Sequence, residues 1–271
     1  MADKARALAT WSLGGGERLV LVHGFTQTGR SWLPIARQLA DRYHVSAVDA
    51  PGHGGSADVD TDLPDGAALL GAAGGRATYV GYSMGGRLCL HLALAHAALV
   101  ERLVLVGATP GLSDPAERAA RRRSDEQLAE DLERDGVEAF LDRWLSNPMF
   151  AGLPDDPADR ADRGGNTAAG LASSLRRCGT GTQADLWPEI GRITCPTLLI
   201  TGERDHKFTE IARRMKSAMP RAELVVVPGA GHAAHLERPA EVIRLVREFL
   251  QAHPVEQLQA PSERKSASDA P

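Results

Sequence analysis

The stretch that most constrains this chain is Ala77-Thr78-Tyr79-Val80-Gly81-Tyr82-Ser83-Met84-Gly85-Gly86-Arg87, followed by an apolar run from Leu88 to Leu94. The β-branched and aromatic residues ahead of Gly81 read as a strand. Leu88, Leu92 and Ala95 recur at helical spacing, so Gly81-Tyr82-Ser83-Met84-Gly85 falls at a strand-to-helix junction. That junction is where a G-x-S-x-G nucleophile elbow must sit. The residue at the apex of so sharp a turn takes a strained backbone conformation, and side chains two positions to either side would strike the strand or the helix. Glycine at both places removes the collision. The serine hydroxyl then projects from the sheet edge, beside the free N–H groups and the positive dipole end of the following helix.

The flanking sequence supplies a sheet for such a turn. Residues 18–22, 44–48, 102–106, 196–201 and 223–227 are short apolar runs of the kind expected of strands covered on both faces. Helical segments alternate with them: Trp32, Ile35, Ala36 and Leu39 share one face, residues 65–71 form a weaker helix, and Val242, Val246, Phe249 and Leu250 line a closing one. This alternation predicts a mostly parallel central sheet flanked by helices. It stops near Gly111 and resumes near residue 194. The polar, helical stretch between is expected to be a cap inserted above the sheet, with Gly164-Gly165 as a hinge or helix break. The expected organisation is therefore a core of residues 1–111 and 194–254, a helical cap of 112–193, and a disordered polar tail of 255–271.

Composition narrows the function. A net charge of -4 argues against broad binding to nucleic acid or anionic membranes. Cys89, Cys178 and Cys195 have no metal-ligand spacing and read as free, mostly buried thiols. There is no apolar leader after Met1 and no run long enough to span a membrane, so a cytoplasmic protein is expected. Neither a glycine-rich phosphate loop nor a metal-ligand cluster is present; no cofactor is expected, and no obligate protein partner is inferred.

A serine hydroxyl becomes a useful nucleophile or base only when a histidine takes its proton and a carboxylate fixes that histidine's tautomer. Asp205 follows one late strand and His232 the last, giving the chain order Ser83, Asp205, His232 at the carboxyl ends of parallel strands. Asp49, His206 and His235 are the competitors. The N–H groups of Met84 and Phe25 are the expected oxyanion hole. His23 is expected to pack beneath the Phe25 loop, and Pro51-Gly52-His53-Gly54 to form a tight turn.

Val22-His23-Gly24-Phe25, residues 49–56, the elbow, and the loops of Asp205 and His232 together resemble the α/β-hydrolase superfamily over residues 18–250. A narrower resemblance rests on Gly54-Gly55-Ser56-Ala57, Ser83-Met84-Gly85-Gly86-Arg87, Gly111-Leu112 with residues 117–121, residues 144–150, Gly179-Thr180-Gly181, Leu186-Trp187 and residues 202–208. These are similar to the 2-succinyl-6-hydroxy-2,4-cyclohexadiene-1-carboxylate synthases of menaquinone biosynthesis, the MenH family. The resemblance implies a lyase that eliminates pyruvate from a small polycarboxylate substrate. Ser83, activated by His232 and Asp205, would remove a carbon-bound proton, and the enolate oxygen would sit between Phe25 and Met84.

Three substrate carboxylates call for guanidinium partners. Arg87, one helical turn after Ser83, is the first; Arg121 matches the family's cap arginine; Arg163 is the choice for a third, with Arg176 its rival. Trp144 is expected as an apolar wall and Tyr82 as a flank of the serine. Arg118, Arg122 and Arg123 are left to solvent or to ion pairs with Glu117, Asp125 and Glu126. An esterase or carbon–carbon bond hydrolase would use the same triad in a more apolar pocket. A ligand-sensing protein without turnover is the alternative of another class, and an intact elbow, hole and triad weigh against it.

Overall fold

Apolar residues that alternate along short strands send neighbouring side chains to opposite faces, and both faces must then be covered. The computed structural model, which describes residues 7–255, resolves this into seven strands. They are β1 (Thr10–Leu13), β2 (Glu17–Val22), β3 (Tyr43–Val48), β4 (Ala77–Tyr82), β5 (Val100–Val106), β6 (Thr197–Gly202) and β7 (Ala222–Val227), in the sheet order β1-β3-β2-β4-β5-β6-β7. Every pairing is parallel except that of β1 on β3. Thr10–Leu13 was not expected as a strand: four residues ahead of Gly14-Gly15-Gly16 carry too short a pattern to stand out. The stretch 256–271, expected as a disordered tail, lies outside the described residues.

Val20 and Val22 of β2, Tyr79 of β4, and Leu103 and Leu105 of β5 face one core, covered by α2 (Leu63–Gly74), α3 (Met84–Ala95) and α7 (His206–Ala218). Their neighbours Leu19, Leu21, Val80, Val104 and Val106 face the other, covered by α1 (Leu33–Leu39) and α8 (Pro239–Ala252), the latter through Val242, Val246, Phe249 and Leu250. Between β5 and β6 the chain inserts α4 (Pro115–Leu145), α5 (Pro157–Gly164) and α6 (Ala168–Cys178). Ala129, Leu132 and Phe140 of α4 pack on Leu171, Ala172 and Leu175 of α6, giving the insertion a small core of its own. Gly136, at φ 81, breaks the long helix α4, and α5 ends at Gly164.

The elbow joins the middle strand β4 to α3 with almost no clearance. A Cβ on Gly81 would lie 2.6 Å from the Gly86 Cα; one on Gly85 would strike the Val22 carbonyl oxygen and lie 2.6 Å from that of His23. Helix α3 therefore starts directly against the end of β2. Gly85→Ala is expected to lower the unfolding free energy by at least about 2 kcal/mol in urea denaturation, because only backbone can yield. Gly15→Ala is the control: its Cβ would meet nothing within 4 Å, and the change should stay within about 0.5 kcal/mol.

Candidate active site

Ser83 sits between β4 and α3 at φ 50, ψ -107, with its N–H donating to the Val106 carbonyl at 2.8 Å. Ser83 and Thr26, at φ 69, are the only non-glycine residues with positive φ among the described residues. Such a conformation costs about 1–3 kcal/mol and persists only where the surroundings hold it. Asp205 caps α7 by accepting from the Phe208 N–H at 3.3 Å through Oδ1, leaving Oδ2 for His232 Nδ1 at 2.6 Å. His232 Nε2 lies 3.2 Å from Ser83 Oγ. Since Nδ1–H donates to the carboxylate, Nε2 is free to accept the serine proton. The imidazole is 3% exposed and is flanked by the rings of Phe208 and Tyr82, with centroids at 4.3 and 5.4 Å. Buried Glu237 accepts from the Gly231 N–H at 2.7 Å and so fixes the loop that carries His232.

The Phe25 loop follows β2 and is fixed from below. The Gly24 carbonyl accepts from His23 Nδ1 at 2.8 Å and from the Gln27 N–H at 3.2 Å. In a planar trans peptide the Phe25 N–H must then point the opposite way. Among the described residues neither that N–H nor that of Met84 donates a hydrogen bond. His23 Nε2 accepts from the Ala50 N–H at 2.9 Å. His53 Nδ1 donates to the Pro51 carbonyl at 2.9 Å, and its Nε2 accepts from the Thr26 N–H at 3.3 Å. Both imidazoles work as neutral braces. Burial is the main cause that pulls His23 down to about 4 and His53 down to about 3.

Above these residues lies a cavity of about 440 Å³, bounded by Phe25, Ser83, Met84, Asp205 and His232 below and by Trp144, Phe150 and Leu128 of the insertion above. Three cations line it: Arg87, Arg121 and Lys207. Arg87 is 7% exposed, and the sole hydrogen bond of its guanidinium among the described residues goes to the Cys178 carbonyl. Burial, with the nearby Arg121 guanidinium, pulls it down to about 10, so it is still charged at neutral pH. Arg121 Nε is held at 2.7 Å by buried Asp125. Among the described residues no group of three or more His, Cys, Asp or Glu is placed to hold a metal ion, and no helix is long and apolar enough to cross a membrane.

Residues 19–245 match the alpha/beta hydrolase family. A 2-succinyl-6-hydroxy-2,4-cyclohexadiene-1-carboxylate synthase of Escherichia coli O1:K1 / APEC is 35% identical over 242 residues, covering 86% of this chain and 93% of that one. A Bacillus subtilis (strain 168) protein that bears the same name provisionally is 35% identical over 263 residues, covering 90% and 94%. The structure of MenH from S. aureus matches with a TM-score of 0.83 at 28% identity, covering 91% of this chain and 98% of that one. This chain belongs to the alpha/beta hydrolase family and, within it, to these synthases.

Within this synthase-family chain, the sequence-predicted residues divide into two groups. Ser83, Asp205, His232, Phe25, Met84, Arg87, Arg121 and Trp144 all border the one cavity. Arg163 does not. Its Nε is bound to Asp159 at 2.6 Å and one NH group to Thr26 Oγ1 at 2.7 Å, beneath the Phe25 loop and away from the cavity lining. Arg176 is tied to Glu126 and Glu133 on the outside of the insertion. Tyr82 lies behind the triad, packed between His232 and His235, and likewise does not line the cavity. Of the expected ion-pair partners, Asp125 pairs with Arg121 and Glu126 with Arg176.

Lys207 is the cation that sequence reasoning missed, although one signal marks it. It stands in the first turn of α7, at the positive end of the dipole, and among the described residues it has no carboxylate partner. Phe150 and Phe208 were also missed as lining residues.

The two histidine braces make acid a specific threat. Unfolded imidazoles titrate near 6.5, whereas in the fold His23 and His53 stay neutral down to about 4 and about 3. Between these limits the unfolded state binds more protons. Their stabilisation is therefore complete above about pH 6.5 and falls with pH by up to about 1.4 kcal/mol per pH unit for each histidine. Urea midpoints at pH 7.5, 6 and 5 should fall accordingly, and His53→Gln should reduce the slope.

Proposed function

We propose that the chain is a carbon–oxygen lyase that converts 2-succinyl-5-enolpyruvyl-6-hydroxy-3-cyclohexene-1-carboxylate into 2-succinyl-6-hydroxy-2,4-cyclohexadiene-1-carboxylate and pyruvate. Family membership supports the reaction. The observation that carries the substrate class is Arg87, a buried guanidinium beside the reactive serine whose sole hydrogen-bond partner among the described residues is a main-chain carbonyl. A buried charge with no carboxylate hydrogen-bonded to it is unfavourable, and a carboxylate entering the cavity would relieve it. Arg121 and Lys207 provide a second and a third positive group lining the same cavity, matching three carboxylates in number.

In this reading Ser83 Oγ, with its proton drawn toward His232 Nε2, removes the proton on the ring carbon next to the succinyl ketone. His232 becomes an imidazolium stabilised by Asp205, which stays ionised. The electrons of the broken C–H bond move onto the ketone oxygen, where the Phe25 and Met84 N–H groups meet the developing enolate. The enolate collapses through the ring double bond and expels enolpyruvate by breaking its C–O bond. The imidazolium proton returns through the serine to the leaving group, which becomes pyruvate. No acyl-enzyme forms. Trp144 and Phe150, packed at 5.6 Å, supply an apolar roof that keeps water from competing for these charges.

The test is pyruvate release from freshly generated substrate, measured against its spontaneous decay. Release should be fast in the native chain, fall at least about 10³-fold in Ser83→Ala, and show a KM raised about 10- to 100-fold in Arg87→Ala. Lys207→Gln should raise KM by about tenfold with kcat nearly unchanged, since it removes a contact made equally in ground and transition states. Release no faster than the background, together with turnover of a simple ester, would overturn the lyase.

A further inference from the structure

Residues 159–166 of the insertion reach down to the loops beneath the cavity. Arg163, 3% exposed, donates to Thr26 Oγ1 at 2.7 Å while Asp159 holds its Nε. Asn166 Nδ2 donates to the Thr26 carbonyl at 2.8 Å, and its Oδ1 accepts from the Gly54 N–H at 2.8 Å. With the Thr26 N–H on His53, every polar atom of this fully buried threonine is bound, and two of its three partners come from the insertion.

A β-branched residue at φ 69 does not stay there by preference. Given a free choice, Thr26 would relax to negative φ and turn the peptide that follows Phe25. Gln27, whose N–H holds the Gly24 carbonyl at 3.2 Å, would shift with it, and the Gly24–Phe25 peptide that carries the Phe25 N–H would lose one of its two restraints. We propose that Arg163 and Asn166 are positioning residues for the oxyanion hole: from the insertion they lock Thr26 in the left-handed conformation and so keep the Phe25 N–H directed at the reacting oxygen. This rests on Phe25 being half of the hole, as in the proposed mechanism. It gives Arg163 a task other than binding a carboxylate, in keeping with the internal partners that hold its Nε and one of its NH groups.

The experiment separates this from the choice of substrate by using a fluorophosphonate. Phosphonylation of Ser83 needs the activated serine and the hole but no polycarboxylate. Arg163→Gln should slow labelling about 100-fold, the scale of losing one oxyanion donor, and lower kcat for pyruvate release similarly, with KM within about threefold. Thr26→Ser, which keeps the acceptor oxygen, should label at nearly the native rate; Thr26→Val should not. Glycine takes positive φ without strain. Arg163→Gln should therefore slow labelling less than fivefold in the Thr26→Gly background, a non-additivity that a purely structural arginine would not show.

A labelling rate unchanged in Arg163→Gln would overturn the proposal: a raised KM beside it would make the arginine a substrate contact, and a lowered melting temperature alone would make it a structural one. Equal losses in the Thr26 and Thr26→Gly backgrounds would also overturn it. Absent pyruvate release in a native chain that still labels would count against the lyase and leave this inference standing.

Discussion

The backbone contact between the end of β2 and the start of α3 is the constraint on which the rest of the site depends. Gly85 lets the Val22 and His23 carbonyls approach the helix, and that approach brings the Phe25 loop alongside the Ser83 turn. Once these two turns adjoin, the N–H after the serine and the N–H of Phe25 can face one point in space. Parallel strands then deliver Asp205 and His232 to the same edge from β6 and β7. Strain at Ser83 and Thr26 is tolerable because tertiary contacts from several segments hold each of them.

The sequence made the sheet and the triad legible because both rest on local pattern. Buried parallel strands are short apolar runs, and the elbow is a motif whose glycines have a mechanical reason. What was illegible was non-local. Arg163 looked like a substrate arginine because helical spacing says where a side chain starts, not which partner claims it. Asp159, one turn earlier, and Thr26, far off in the chain, claim it. Tyr82 neighbours the serine in sequence, yet strand alternation sends it to the opposite face, into the core that holds Trp32 and Val106. Lys207 was passed over because exposed lysines at helix ends rarely stand out, and β1 because four residues hold too little pattern.

Fold and chemistry are separable in this molecule. The triad and hole would suit ester hydrolysis as readily as elimination, since each needs a serine proton moved and an oxyanion held. The specialisation lies in the electrostatics above them. Two guanidiniums and an ammonium line one cavity, and Arg87 is buried with no carboxylate among its hydrogen-bond partners. A neutral ester would leave that charge unanswered, whereas a polycarboxylate would neutralise it and bring its acidic carbon over the serine.

The contact between residues 159–166 and the core loops also bears on how the insertion can open. It is pinned to the Thr26 and Gly54 loops through residues 159–166, just ahead of α6, while Trp144 and Phe150, which roof the cavity, lie upstream. Entry by lifting the upstream part leaves the pins in place and the site armed. With Arg163 and Asn166 in the positioning role proposed above, swinging the whole insertion away would pull the partners off Thr26 and disarm the hole in the same motion. On that proposal the contact works as an interlock: a gaping site is an idle one, and stray esters that wander in while it gapes find a serine with only half of its hole.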